Sequence, residues 1–146
     1  MFEAIAKAGV AQVIQLAVAP VFLLTGVGAI LNVMANRLSR IVDRARMLEL
    51  KLGGAEAALA AEITQRLANL SNRARMISFA IAACVMTAVL VCGVIISLFL
   101  GEFMAFDATA LAALLFIASL LTFLLALIWL LREILLATKT LKFGPG

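Results

Sequence analysis

Three long stretches of this chain contain no charged side chain: residues 10–35 (VAQVIQLAVAPVFLLTGVGAILNVMA), 76–100 (MISFAIAACVMTAVLVCGVIISLFL) and 108–131 (ATALAALLFIASLLTFLLALIWLL). A helix needs about 20 residues, at roughly 1.5 Å each, to cross the hydrocarbon core of a bilayer. A charge at the centre of such a helix costs about 2.5–3.5 kcal/mol on the insertion scale, so an aqueous core does not explain three uncharged runs of this length. Composition agrees: 66% of residues are hydrophobic, 14% are charged and the mean hydropathy is +1.19. A soluble surface made from that inventory would aggregate. The fold class expected is all-α, an integral membrane protein with three transmembrane helices. With 146 residues the chain has room for little besides spans and connectors, so residues 1–146 read as a single membrane domain.

The same inventory narrows the chemistry. Histidine is absent, which removes the imidazole behind most metal and acid–base sites. The two cysteines, Cys84 and Cys92, lie eight residues apart within the second run, far from a C-x-x-C pattern, and read as small packing residues. No Asp, Glu, His or Lys falls inside the three runs, so their serines and cysteines lack a base, and a proton-coupled transporter would lack its carboxylate. No enzyme is expected, and with it no catalytic residue, metal or cofactor. Ala17 and Ala19 form an A-x-A pattern with Lys7 upstream, the mark of a cleaved signal peptide. The apolar run continues fifteen residues beyond Pro20, which fits an anchor instead, with Pro20 loosening the helix about a third of the way along.

Lysine and arginine orient the chain. Between the first and second runs lie Arg37, Arg40, Arg44, Arg46, Lys51, Arg66, Arg73 and Arg75, and the tail holds Arg132, Lys139 and Lys142. The 101–107 connector GEFMAFD has no cation and contains Glu102 and Asp107. By the positive-inside rule, residues 37–75 and the carboxyl terminus are cytoplasmic and the amino terminus is outside. Trp129 and Arg132 fit a cytoplasmic interface anchor.

Residues 37–52 lack Pro and Gly and are rich in helix formers, so the first span should continue roughly 24 Å past the membrane before Gly53-Gly54 breaks it. Residues 55–75 are helical again. The rows Leu38, Ile41, Ala45, Leu48, Leu52 and Leu59, Ile63, Leu67, Leu70, Ala74 then predict an antiparallel cytoplasmic hairpin with a coiled-coil-like seam. Its arginines set topology and meet water, with Asp43, Glu49, Glu56 and Glu62 as salt-bridge partners. A second reading gives Arg37, Arg40, Arg73 and Arg75 to anionic lipid headgroups, at about 1 kcal/mol each. Nucleic acid is not an expected partner, because residues 37–75 hold no aromatic side chain and four acids dilute the basic charge.

The first helix also carries a polar stripe. Alternating steps of three and four from Gln15 reach Val18, Phe22, Thr25, Ala29, Asn32, Asn36, Ser39 and Asp43. An apolar seam through Leu24, Gly28, Leu31, Ala35, Leu38 and Ile41 is displaced from it by two residues, about 200° of helix. The stripe therefore points away from the hairpin partner, and amides facing hydrocarbon alone are costly. The third run offers only Ser119 and Thr122, so homo-oligomerisation around the first helix is expected. Two uses of the stripe stay open: interhelical glue at about 0.6 kcal/mol per contact, or the wall of an ion channel lined by Gln15, Thr25, Asn32, Asn36 and Ser39, with Phe22 as constriction and Asp43 at the mouth. A non-conducting scaffold that recruits a partner or anionic lipid through the hairpin is the alternative. Gly26 and Gly28, in T-G-V-G-A, lack the Lys-Ser or Lys-Thr of a phosphate loop and are expected to serve close helix packing.

The segments IQLAVAPVFLLTGVGAILNVMANRLSRIVDRAR, NRARMISFAIAACVMTAVLVC and LLREILLA together resemble a bacterial membrane-protein family, domain of unknown function 2721. The resemblance spans roughly residues 12–137, and A-P-V-F-L-L-T-G followed by R-L-S-R-I-V-D-R-A-R carries most of it. It implies a bacterial multi-span membrane protein and supplies no reaction or ligand; the location expected for such a chain is the inner membrane.

Overall fold

A computed structural model of the chain describes residues 1–104 and 107–139, with the side chains of Phe2, Ala4, Ile5 and Ala6 excepted. Three helices account for nearly all of these residues: α1 (Phe2–Leu52), α2 (Ala57–Met104) and α3 (Thr109–Lys139). Each contains a window long and apolar enough to cross a membrane. Only 22%, 28% and 17% of those windows are buried within the chain, so most of their side chains face outward and are apolar, as a lipid environment allows.

The breaks lie where local chemistry puts them. Helix α1 runs through Pro20 and continues to Leu52, where Gly53-Gly54 follows and Ala55 N–H bonds back to the Leu52 carbonyl at 3.4 Å. Helix α2 takes up the chain at Ala57 and runs to Met104, four residues into the expected 101–107 connector. Asp107 starts α3 by accepting the Thr109 N–H at 3.0 Å, which satisfies one of the donors a helix start leaves free. The Thr109 side chain and then its N–H hold the Asp107 carboxyl below the usual carboxylate range. Lys142 lies outside the described residues.

The buried positions of α1 are Val13, Ala17, Pro20, Val27, Met34 and Ile41, and the half-buried Leu24, Leu31, Leu38, Ala45, Leu48 and Leu52 complete with them an alternation of three and four. Of the expected seam, Leu24, Leu31, Leu38 and Ile41 lie inward, and the other two positions are shifted by one residue. Val27 and Met34 are buried, whereas Gly28 and Ala35 are exposed. The larger apolar neighbours take the inward positions because they fill more of the space between helices. Close packing at Gly26 and Gly28 is likewise not found within the chain, since an added Cβ would meet nothing within 4 Å at either.

Contacts gather the chain into two units, each containing a segment of every helix. The first comprises residues 1–30 and 83–124. Its buried side chains are small, including Ala17, Cys84, Thr87, Ala112 and Ser119, and small residues let helix backbones approach. Thr87 and Thr122 join α2 to α3 through a 2.9 Å hydroxyl–hydroxyl bond, and Ser97 and Ser119 donate to carbonyls of their own helices. The second unit comprises residues 31–82 and 125–146, of which 31–82 and 125–139 are described. Met34, Ile41, Ile63, Leu70, Ile77, Ala80, Ala126 and Leu130 form its core. Phe79 stacks on Trp129 at 5.7 Å between ring centroids, and the Arg132 guanidinium lies 5.7 Å from the same indole.

Candidate functional site

The second unit buries one carboxylate. Glu133 of α3 is 0% exposed, and its two oxygens are divided between two helices. Arg37 of α1 donates from Nε and Nη2 to Oε2 at 3.0 and 2.6 Å, and Arg73 of α2 donates from Nε and Nη2 to Oε1 at 3.0 and 2.8 Å. Four charge-assisted hydrogen bonds thus offset the loss of water around the carboxylate, a cost of several kcal/mol. Each guanidinium presents its Nε edge as a rigid fork, which lysine could not do. The two arginines stay 32% and 25% exposed, and each keeps N–H donors beyond the two that Glu133 takes. The cluster links all three helices and has a net charge of +1.

Position in the sequence explains its level. Arg37 follows the first apolar run by two residues, Arg73 precedes the second by three, and Glu133 follows the third by two. All three sit where a span ends. Sequence reasoning placed Arg37 and Arg73 but passed over Glu133, although a signal was present. Ala112, Ser119, Ala126 and Glu133 are spaced by seven, and the first three are small residues of the α3 core. A glutamate on that row has to enter the core, and a core carboxylate needs cations opposite it.

The remaining basic candidates divide. Arg37 and Arg73, with Arg40, Arg44, Ile41 and Leu70, line an open groove of about 260 Å³. Arg40 and Arg44 are exposed and form no ion pair among the described residues. Arg75 is exposed and does not line this groove. The salt bridges expected along the arms reduce to Glu62 with Arg66 at 2.5 Å. Asp43, Glu49 and Glu56 form none among the described residues, because each is exposed and water solvates it without ordering a long partner.

The stripe of α1 is uncovered throughout. Gln15, Val18, Phe22, Thr25, Ala29, Asn32, Asn36, Ser39 and Asp43 are all exposed on the chain, and Phe22 is 71% exposed. Thr25 donates to the Val21 carbonyl and Asn36 to Oδ1 of Asn32, each at 3.4 Å, which answers only part of the stripe's polar capacity. Among the described residues, neither α2 nor α3 forms a hydrogen bond or ion pair with it. No group of three or more His, Cys, Asp or Glu side chains able to hold a metal occurs among the described residues.

The model of the family described as "Protein of unknown function (DUF2721)" matches residues 17–143, which include the stripe from Val18 onward, both arginines and Glu133. No curated protein and no solved structure matches the chain.

Proposed function

The chain belongs to the DUF2721 family, and from that premise we propose that it is a homo-oligomeric ion channel of the bacterial inner membrane, walled by copies of α1. The observation that carries the reading is the polar stripe, exposed at all nine positions although Gln15 to Asn32 lie within a span. Hydrocarbon does not satisfy Gln15 or Asn32, and the chain's other helices leave them bare; neighbouring copies or an aqueous axis do satisfy them. Gly26 and Gly28, open to 4 Å and beside Thr25 and Ala29, let neighbouring backbones approach. Phe22 forms the apolar constriction and Asp43 the mouth. The channel has no catalytic role.

In this reading the arginine-rich end is cytoplasmic, the amino terminus outside, and α1 and α2 form an antiparallel hairpin. Two observations support the last point: residues 53–56 are all that separates the two helices, and Arg37 and Arg73, well back from that break on each, meet on the same Glu133. At roughly 1.5 Å per residue, residues 37–52 of α1 and 57–75 of α2 extend about 24 and 28 Å beyond the apolar runs and form the coiled-coil arm. That overhang is also what favours the second reading, a non-conducting scaffold; under it, deletion of residues 44–68 abolishes co-purification of a partner, whereas a channel survives the deletion.

The deciding experiment is a cryo-EM structure of the nanodisc-embedded protein, followed by planar-bilayer recording. Several α1 helices enclosing a continuous wet path past Asn32 and Asn36, with unitary currents, support the channel. A monomer, or amides packed dry against one another, refutes it.

A further inference from the structure

Two arginines of the groove are spoken for by Glu133, and two are not. Arg37 and Arg73 turn their Nε edges to the carboxylate while keeping further N–H donors and part of their surface open. Arg40 and Arg44, one turn and two turns along α1 from Arg37, have no anionic partner among the described residues. Ile41 and Leu70, both buried, form the floor. Four guanidiniums against one carboxylate give the groove's surroundings a net charge of +3. No acidic residue lines the groove itself.

We propose that this groove is a binding site for a phosphoryl group, held by Arg37, Arg40, Arg44 and Arg73. Planar guanidinium forks match phosphate oxygens in pairs, and their fixed geometry distinguishes the site from a diffuse basic surface. The role of Glu133 follows from the same geometry: it fixes Arg37 and Arg73 in place, so that their remaining donors are preorganised when the anion arrives. Both lie within three residues of the end of an apolar run, which puts the groove at headgroup level, where the phosphate of an anionic lipid is the nearest source. A soluble diphosphate offers the same chemistry. The site is complete in one chain and does not depend on the channel reading.

The test uses the full chain. Native mass spectrometry in detergent measures retention of dioleoyl phosphatidic acid, and calorimetry in phosphatidylcholine nanodiscs measures binding of inorganic pyrophosphate. The double variant Arg40→Gln, Arg44→Gln is compared with Arg46→Gln, Arg75→Gln, which removes the same charge from exposed residues outside the groove. All four are exposed and form no ion pair among the described residues, so folding is not at stake. The groove variant weakens binding about 30-fold, about 1 kcal/mol per arginine at 1.4 kcal/mol per decade, and the control changes it by less than about threefold. Groove-dependent retention of the lipid alone assigns the site to headgroups, and groove-dependent binding of pyrophosphate assigns it to a soluble anion. Equal losses in the two double variants, or no binding of either probe, overturn the proposal.

Discussion

Replacing Arg73 with Gln strands half of a buried carboxylate. Glu133 then loses the two bonds to Oε1, at 3.0 and 2.8 Å, and keeps only Arg37 on Oε2. Breaking a buried ion pair from one side costs about 3–5 kcal/mol because the remaining charge is left uncompensated. Arg37 persists and both arginines reach partway to solvent, so the lower figure, about 3 kcal/mol, is expected. Glu133→Gln costs less, about 1–2 kcal/mol, since the two freed guanidiniums can extend to water. Adding Glu133→Gln to Arg73→Gln removes the stranded charge, so the double variant is more stable than Arg73→Gln alone. The coupling energy should exceed about 1 kcal/mol. Titration with SDS in mixed micelles measures the cycle, followed by helical circular dichroism and by the fluorescence of Trp129, the chain's single tryptophan, four residues before Glu133. Additivity of the two substitutions within about 0.5 kcal/mol refutes the argument that the cluster acts as a unit.

Phe22→Ala raises unitary conductance and Asn32→Leu lowers it in planar bilayers, if α1 lines the axis; unchanged currents in both variants exclude that wall. Thr122→Val removes the 2.9 Å bond to Thr87 and costs about 0.6 kcal/mol by SDS titration, while a loss above about 2 kcal/mol would mean that packing and not the hydroxyl had been disturbed. At the start of α3, hydrogen bonds lower the Asp107 pKa, so its stabilising effect is complete above about pH 5 and fades as pH falls through the unfolded value of about 3.9 toward the lower folded one. Asp107→Asn removes that part of the pH dependence, read as the difference between the two unfolding curves; superimposable differences across pH 3–6 would show that the cap contributes nothing.

The spans, the Gly53-Gly54 break and the direction of the polar stripe were legible in the residues, because each rests on local physics. Hydrocarbon excludes charge from 24 or more consecutive positions, two adjacent glycines end a helix, and a period of three and four sets which residues share a face. Where a choice lay between near-equal faces, the pattern underdetermined the answer. Gly28 and Val27 differ by one position and about 100°, and only packing against other helices puts the valine inward at 1% exposure. The expected role of Arg37 and Arg73 toward lipid considered each cation alone. Their bonds to Glu133 span 96 and 60 residues, and no periodicity within one helix registers a partner on another. The chain's sequence thus determined that it meets a bilayer and which face of α1 is polar, properties of solvent transfer and helical repeat. Tertiary structure decided which arginines neutralise a carboxylate and which remain open to an anion, because an ion pair depends on distance in space and not on position along the chain.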